Sequence, residues 1–133
     1  MTSYRTPRSR AAGLGSAKHG VGHWIAERVT SVALVPLSLW AVFAALRIAP
    51  LGYEQAVLWL QNPINTTLAV LFAGLSFYHM GLGMQVVIED YIHRRSTLIT
   101  LLLLNAFVWF GVGTAAIVAI LKVAVVTQVG VLL

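Results

Sequence analysis

Three long apolar runs restrict this chain more than any other feature. Residues 29–46, 64–88 and 97–121 contain no Lys, Arg, Asp or Glu. A bilayer's hydrocarbon core, about 30 Å thick, takes about 20 apolar residues as a helix. Each run meets or approaches that length, and none shows the polar alternation of a half-buried strand. Nine Lys and Arg and four Asp and Glu make up 10% of the residues, against roughly a quarter in a soluble domain. The sequence predicts an all-α integral membrane protein with three transmembrane helices, over about 25–48, 64–88 and 97–124. These form a membrane domain over 25–125, behind a basic, polar segment at 1–24.

Charge placement sets an orientation. Arg5, Arg8, Arg10, Lys18 and Arg28, with Arg94 and Arg95 after the second span, fall on one side; Arg47 and Lys122 fall on the other. The positive-inside rule therefore puts the N terminus and the 89–96 loop in the cytoplasm, or in the matrix of a mitochondrion. Because the basic residues cluster at span ends with no aromatic interleaving, the sequence pI near 10.3 reflects membrane topology. No nucleic-acid partner is expected. The first 23 residues lack the apolar stretch and cleavage site of a secretory signal; their Arg and Ser content leaves an organellar leader as the alternative. "GLGSAKHG" lacks the spacing of a phosphate loop. With no cysteine, the chain holds no thiolate metal site or cysteine-ligated cluster of its own. Nor is there an internal repeat from which to build a transporter.

Pro36 falls inside the first span, where a membrane helix tolerates it. Pro50, Gly52 and Pro63 break the next stretch and frame a short interfacial helix near 53–60, with Tyr53 and Trp59 at headgroup level. Asn65 is placed to cap the second span. Asn105 is the one strongly polar side chain inside the third, and Lys122 can snorkel near its far end.

Against this background His79 stands out, an imidazole deep in the second span. Eleven helical steps separate it from Asp90, about three turns and roughly 17 Å, so the two share a face with Phe72, Ser76, Gly83 and Val86. Gly81 and Gly83 remove bulk near the ring, as close approach of a helix or a flat ligand requires. Three readings fit: a polar bond across a helix interface, a cofactor ligand, or a proton relay. One histidine cannot close a metal site, so ligation implies a cofactor such as haem and a second ligand from another chain. Asp90 and Tyr91 read either as an interfacial acid and aromatic anchor or as a quinone site. In the latter the phenol donates to a carbonyl while the acid orients it or passes protons. Arg28 can meet Glu27, a lipid phosphate or a cofactor carboxylate. Ser31 can reach the same site or bond its own helix. His93, Arg94 and Arg95 read as topology and headgroup residues.

The pattern His79-x-x-x-Gly83-x-x-Val86-x-x-x-Asp90-Tyr91, with three spans and a basic N terminus, resembles the SdhD-type hydrophobic membrane anchor of succinate dehydrogenase. The stretch "GLGSAKHGVGHWIAERVTSVALVPLSLW" is similar to its alphaproteobacterial and mitochondrial branch. The resemblance covers about residues 13–125. It implies a heterotetramer with a flavoprotein subunit, an iron–sulfur subunit and a second, cytochrome b-type anchor, in a bacterial or mitochondrial inner membrane. It also implies that His79 is an axial ligand of haem b shared with that anchor, and that Gly83 packs beside the haem. Arg28 then lies near the propionates, and Tyr91 with Asp90 binds ubiquinone. FAD and iron–sulfur clusters belong to the partner subunits. Position 24 is Trp where some relatives carry the Asp of a His-Asp pair, so no proton route is assigned to His23. Two alternatives remain: a quinol:fumarate reductase anchor, and a purely structural three-span adaptor that recruits soluble proteins.

Overall fold

The computed structural model describes residues 6–12 and 21–129, with side chains to Val125. Residues 1–5 and 13–20 of the basic segment, and the opening of the stretch quoted above, lie outside the described residues. Five helices follow in order: α1 (Pro7–Ala11), α2 (Val21–Ile48), α3 (Tyr53–Gln61), α4 (Pro63–Tyr91) and α5 (Arg95–Val129). Three of them, α2, α4 and α5, are long and apolar enough to cross a membrane, so the expected all-α, three-span architecture is what forms. At about 1.5 Å per residue, the 28 residues of α2 and 29 of α4 each exceed the hydrocarbon thickness. They are apolar all round rather than along one stripe, the mark of a helix surrounded by lipid or other helices.

The helix ends differ from the sequence boundaries for local reasons. Glu27 and Arg28 do not interrupt the helical backbone of α2, which continues through Pro36 to Ile48. α4 runs on through Glu89, Asp90 and Tyr91, so the predicted 89–96 loop shrinks to residues 92–94. Asn65 is not the cap. Pro63 drives the residue before it out of helical backbone, and Asn62 is extended there (φ −62°, ψ 124°), closing α3 and opening α4 at once. Its side chain accepts from the Ile64 N–H at 2.9 Å. Asn65 instead donates to the Trp59 carbonyl at 2.9 Å, and the Thr66 hydroxyl donates to the Leu60 carbonyl. The second satisfies a carbonyl at the end of α3, and the first adds to the Trp59 carbonyl's bond from the Asn62 N–H. Trp59 stacks on Trp40 of α2, with centroids 6.0 Å apart, while α3 itself packs against α4 and α5.

α4 is the shared neighbour of the other two spans. On one side, Trp109 of α5 lies over Gly81, and Phe77 lies over Gly113 of α5, where an added Cβ would come within 3.1 Å of the Phe77 Cβ. Gly74 faces Ile117 in the same antiparallel register. Tyr78 and Phe110 meet the Trp109 ring edge-on, at 5.6 and 5.9 Å, and Asn105 donates to the Gly81 carbonyl at 2.9 Å. α2 approaches from another side, through Thr30 and His79. His79 and Gly81 are two residues apart, about 200° around the helix, so α2 and α5 flank α4 on opposite faces. Little is buried between them: among the described residues Val57, Ile88 and Ala124 form the apolar core. Val32, Phe43 and Phe107 stand at least 70% exposed. In water this would be an aggregate; in a bilayer these side chains face lipid or partner helices.

Candidate functional site

His79 lies in the middle of α4 and is half-buried. Its Nδ1 is 2.9 Å from the Thr30 hydroxyl on α2. Thr30 is only 4% exposed, and its oxygen also lies 2.8 Å from the Ala26 carbonyl and 3.1 Å from the Glu27 carbonyl. Among the described residues no hydrogen bond reaches the imidazole Nε2. The cross-helix polar bond expected of a histidine in a bundle is therefore present, and it occupies one ring nitrogen only.

The two glycines near the ring divide between the roles the sequence left open. A Cβ on Gly81 would lie 2.5 Å from Trp109 Cδ1, so Gly81 serves close approach of α5. A Cβ on Gly83 would meet nothing within 4 Å. Gly83 sits one turn beyond His79 on nearly the same face, beside open space that a flat ligand can enter.

Thr30 opposite His79 places the beginning of α2 at the Asp90–Tyr91 end of α4. Arg28, two residues from Thr30, lies nearer the depth of His79, while His23 and Trp24 lie toward the border that carries Asp90 and Tyr91. Both of the latter are exposed, Tyr91 by 77%, and among the described residues neither side chain has a hydrogen-bond partner. Glu89 differs, since its carboxylate accepts from Gln85 Nε2 at 2.8 Å, one turn away. His93 and Arg94 lie exposed in the connection to α5, and Arg95 opens that helix.

Arg28 is not brought to His79 within this chain. Two residues from Thr30, it points from the opposite side of α2, exposed, with its guanidinium carbon 5.7 Å from the Trp24 ring centroid. That distance suits a cation–π contact, and among the described residues it makes no ion pair with Glu27. Ser31 bonds its own helix, donating to the Glu27 carbonyl at 2.7 Å. Thr30, between them, is the site residue that sequence reasoning passed over. Its only signal was a place on one helical face with Ala26, Ala33 and Leu37, a stripe common in any packed helix.

Chemically, the arrangement offers one nitrogen lone pair inside an apolar span and, roughly 17 Å along the same face, an acid–phenol pair at the border. Among the described residues no group of three His, Cys, Asp or Glu side chains forms a metal cage. The donor set suits an axial position on a metal that a planar cofactor carries.

The chain has clear relatives. A family model described as "Succinate dehydrogenase/Fumarate reductase transmembrane subunit" matches residues 2–129. The succinate dehydrogenase hydrophobic membrane anchor subunit of Rickettsia conorii is 39% identical over 103 residues, covering 74% of this chain and 82% of that protein. The same-named subunit of Rickettsia bellii is 39% identical over 99 residues (72% and 79%), and that of Paracoccus denitrificans 30% over 112 (84% and 87%). No solved structure matches the chain.

Proposed function

The chain belongs to the succinate dehydrogenase/fumarate reductase transmembrane subunit family as an SdhD-type hydrophobic membrane anchor, and from that membership we propose a share in haem and quinone binding. It is a multi-pass membrane protein that anchors a succinate dehydrogenase-type complex. Its proposed partners are a flavoprotein subunit, an iron–sulfur subunit and a second, cytochrome b-type anchor, in an inner membrane. The basic residues favour the N terminus and the α4–α5 connection on the cytoplasmic or matrix side.

The observation that carries the haem reading is the contrast around His79: Nδ1 engaged by Thr30, and open space at Gly83 one turn away. These residues fit a haem b edge. His79 would ligate through Nε2, and the missing side chain at Gly83 would leave room for the macrocycle; Arg28, on the side of α2 away from His79, does not reach this edge within its own chain. The second axial ligand would come from the partner anchor. When bound, haem b supplies a one-electron redox centre within the membrane. This chain's part is to hold the ring nitrogen in place and exclude water with apolar neighbours.

At the border, the Tyr91 hydroxyl donates a hydrogen bond to a ubiquinone carbonyl, while Asp90 orients that phenol or takes up and releases protons. The exposure of both residues supports this role, since a quinone and a docking subunit need access to them. Tyr91→Phe is expected to slow succinate-to-quinone transfer about tenfold, the worth of one hydrogen bond of about 1.4 kcal/mol. Succinate oxidation by a soluble dye should stay near wild type. Equal rates in both assays would remove Tyr91 from the quinone site. Copurification tests the wider reading: a flavin-bearing and a cluster-bearing chain should accompany this one, and their absence would favour a structural adaptor.

A further inference from the structure

We infer that Thr30 is the positioning residue for His79: its hydroxyl accepts the Nδ1–H, holding the imidazole in the tautomer that leaves the Nε2 lone pair free to ligate. The inference rests on the haem reading above and deepens it. The Thr30 oxygen lies 2.8 Å from the Ala26 carbonyl oxygen and 3.1 Å from that of Glu27. Two oxygens that close repel unless a proton lies between them, and a hydroxyl has one proton to give. Spent on the α2 backbone, that proton is not available to His79. The 2.9 Å contact with Nδ1 is then attractive only with the ring as donor.

Several features make the arrangement stiff. A threonine in a helix has few rotamers, and the one that reaches back to the preceding turn is self-anchored. At 4% exposure, Thr30 has no water competing for its oxygen. Donating to the backbone also makes that oxygen a better acceptor, since linked hydrogen bonds polarise one another. A ligating histidine whose other N–H is held in this way keeps its orientation and gains basicity. Thr30 is on α2 and His79 on α4, so the packing of these two spans sets the angle at which Nε2 is presented.

The test uses the whole purified complex with three substitutions. Thr30→Val keeps the shape and removes the acceptor. It should weaken haem retention about 10- to 100-fold and move the haem midpoint potential upward, because a less basic imidazole stabilises the oxidised iron less. Thr30→Ser keeps the hydroxyl and should restore both properties. A valine variant with wild-type haem content and potential overturns the inference. So does a serine variant as impaired as the valine one, since packing of the methyl group would then be the cause. If Thr30→Val does not assemble, Thr30→Cys decides. Its sulfur is a weak acceptor of similar size, so a wild-type potential overturns the inference and an upward shift supports it. His79→Ala separates the two levels. Haem that survives His79→Ala defeats the ligand reading itself, whereas haem lost there but unaltered in Thr30→Val defeats the role of Thr30 alone.

Discussion

His79→Ala is expected to abolish the b-type haem band in the reduced-minus-oxidised spectrum of the purified complex while the complex still assembles. The loss follows from removing the only imidazole placed within α4's membrane-spanning run. Survival of the assembly follows from the hydrogen bonding. Thr30 keeps its donation to the Ala26 carbonyl when the ring is gone, so no buried donor is left without a partner, the usual source of a large penalty. The packing between α4 and α5 involves the opposite face, through Gly81 and Trp109, and is untouched. The vacated space should also accept free imidazole, which would restore part of the band. An unchanged haem spectrum in the alanine variant would show that this ring is not the ligand.

The second large effect separates two glycines that look alike in the sequence. Gly81→Ala puts a methyl 2.5 Å from Trp109 Cδ1 and 2.6 Å from Cγ. The indole is hemmed in by Tyr78 and Phe110, so α4 and α5 must separate, straining the Asn105 bond to the Gly81 carbonyl. Overpacking of this kind costs about 1–3 kcal/mol, and the expected readouts are a lower melting temperature and a lower yield of assembled complex. Gly83→Leu meets nothing in its own chain within reach of a Cβ and replaces a poor helix former with a good one. The complex should form normally but carry less haem per flavin. A Gly83→Leu complex with full haem would place the macrocycle elsewhere, and a Gly81→Ala complex as stable as wild type would show that the Trp109 contact does not hold the spans together.

The spans were readable because a bilayer demands long uncharged runs, and nothing else in the chain supplies them. Their azimuths were not. A helix that is apolar all round has no stripe to say which side meets which neighbour, so the sequence could put His79, Gly83 and Asp90 on one face without revealing that Thr30 meets that face. For the same reason Gly81 and Gly83 were grouped together, although one receives an indole and the other borders open space. Charge does not stop the second span where the uncharged run ends: α4 continues through Glu89 and Asp90 to Tyr91. The cap fell on Asn62 rather than Asn65 because Pro63 dictates the backbone before it. Arg28, picked out by its charge, projects from the side of α2 away from His79, which the two-residue offset from Thr30 makes plain only once Thr30 is located.

With α2 and α5 on opposite flanks of α4, the three spans meet along two separate seams and enclose little between them. A copy without partners would turn the His79 Nε2 and the notch at Gly83 toward acyl chains, which offer the ring nitrogen no hydrogen bond. Such orphans are natural targets for membrane proteases, so cellular abundance of this subunit should track its assembly companions rather than its own rate of synthesis.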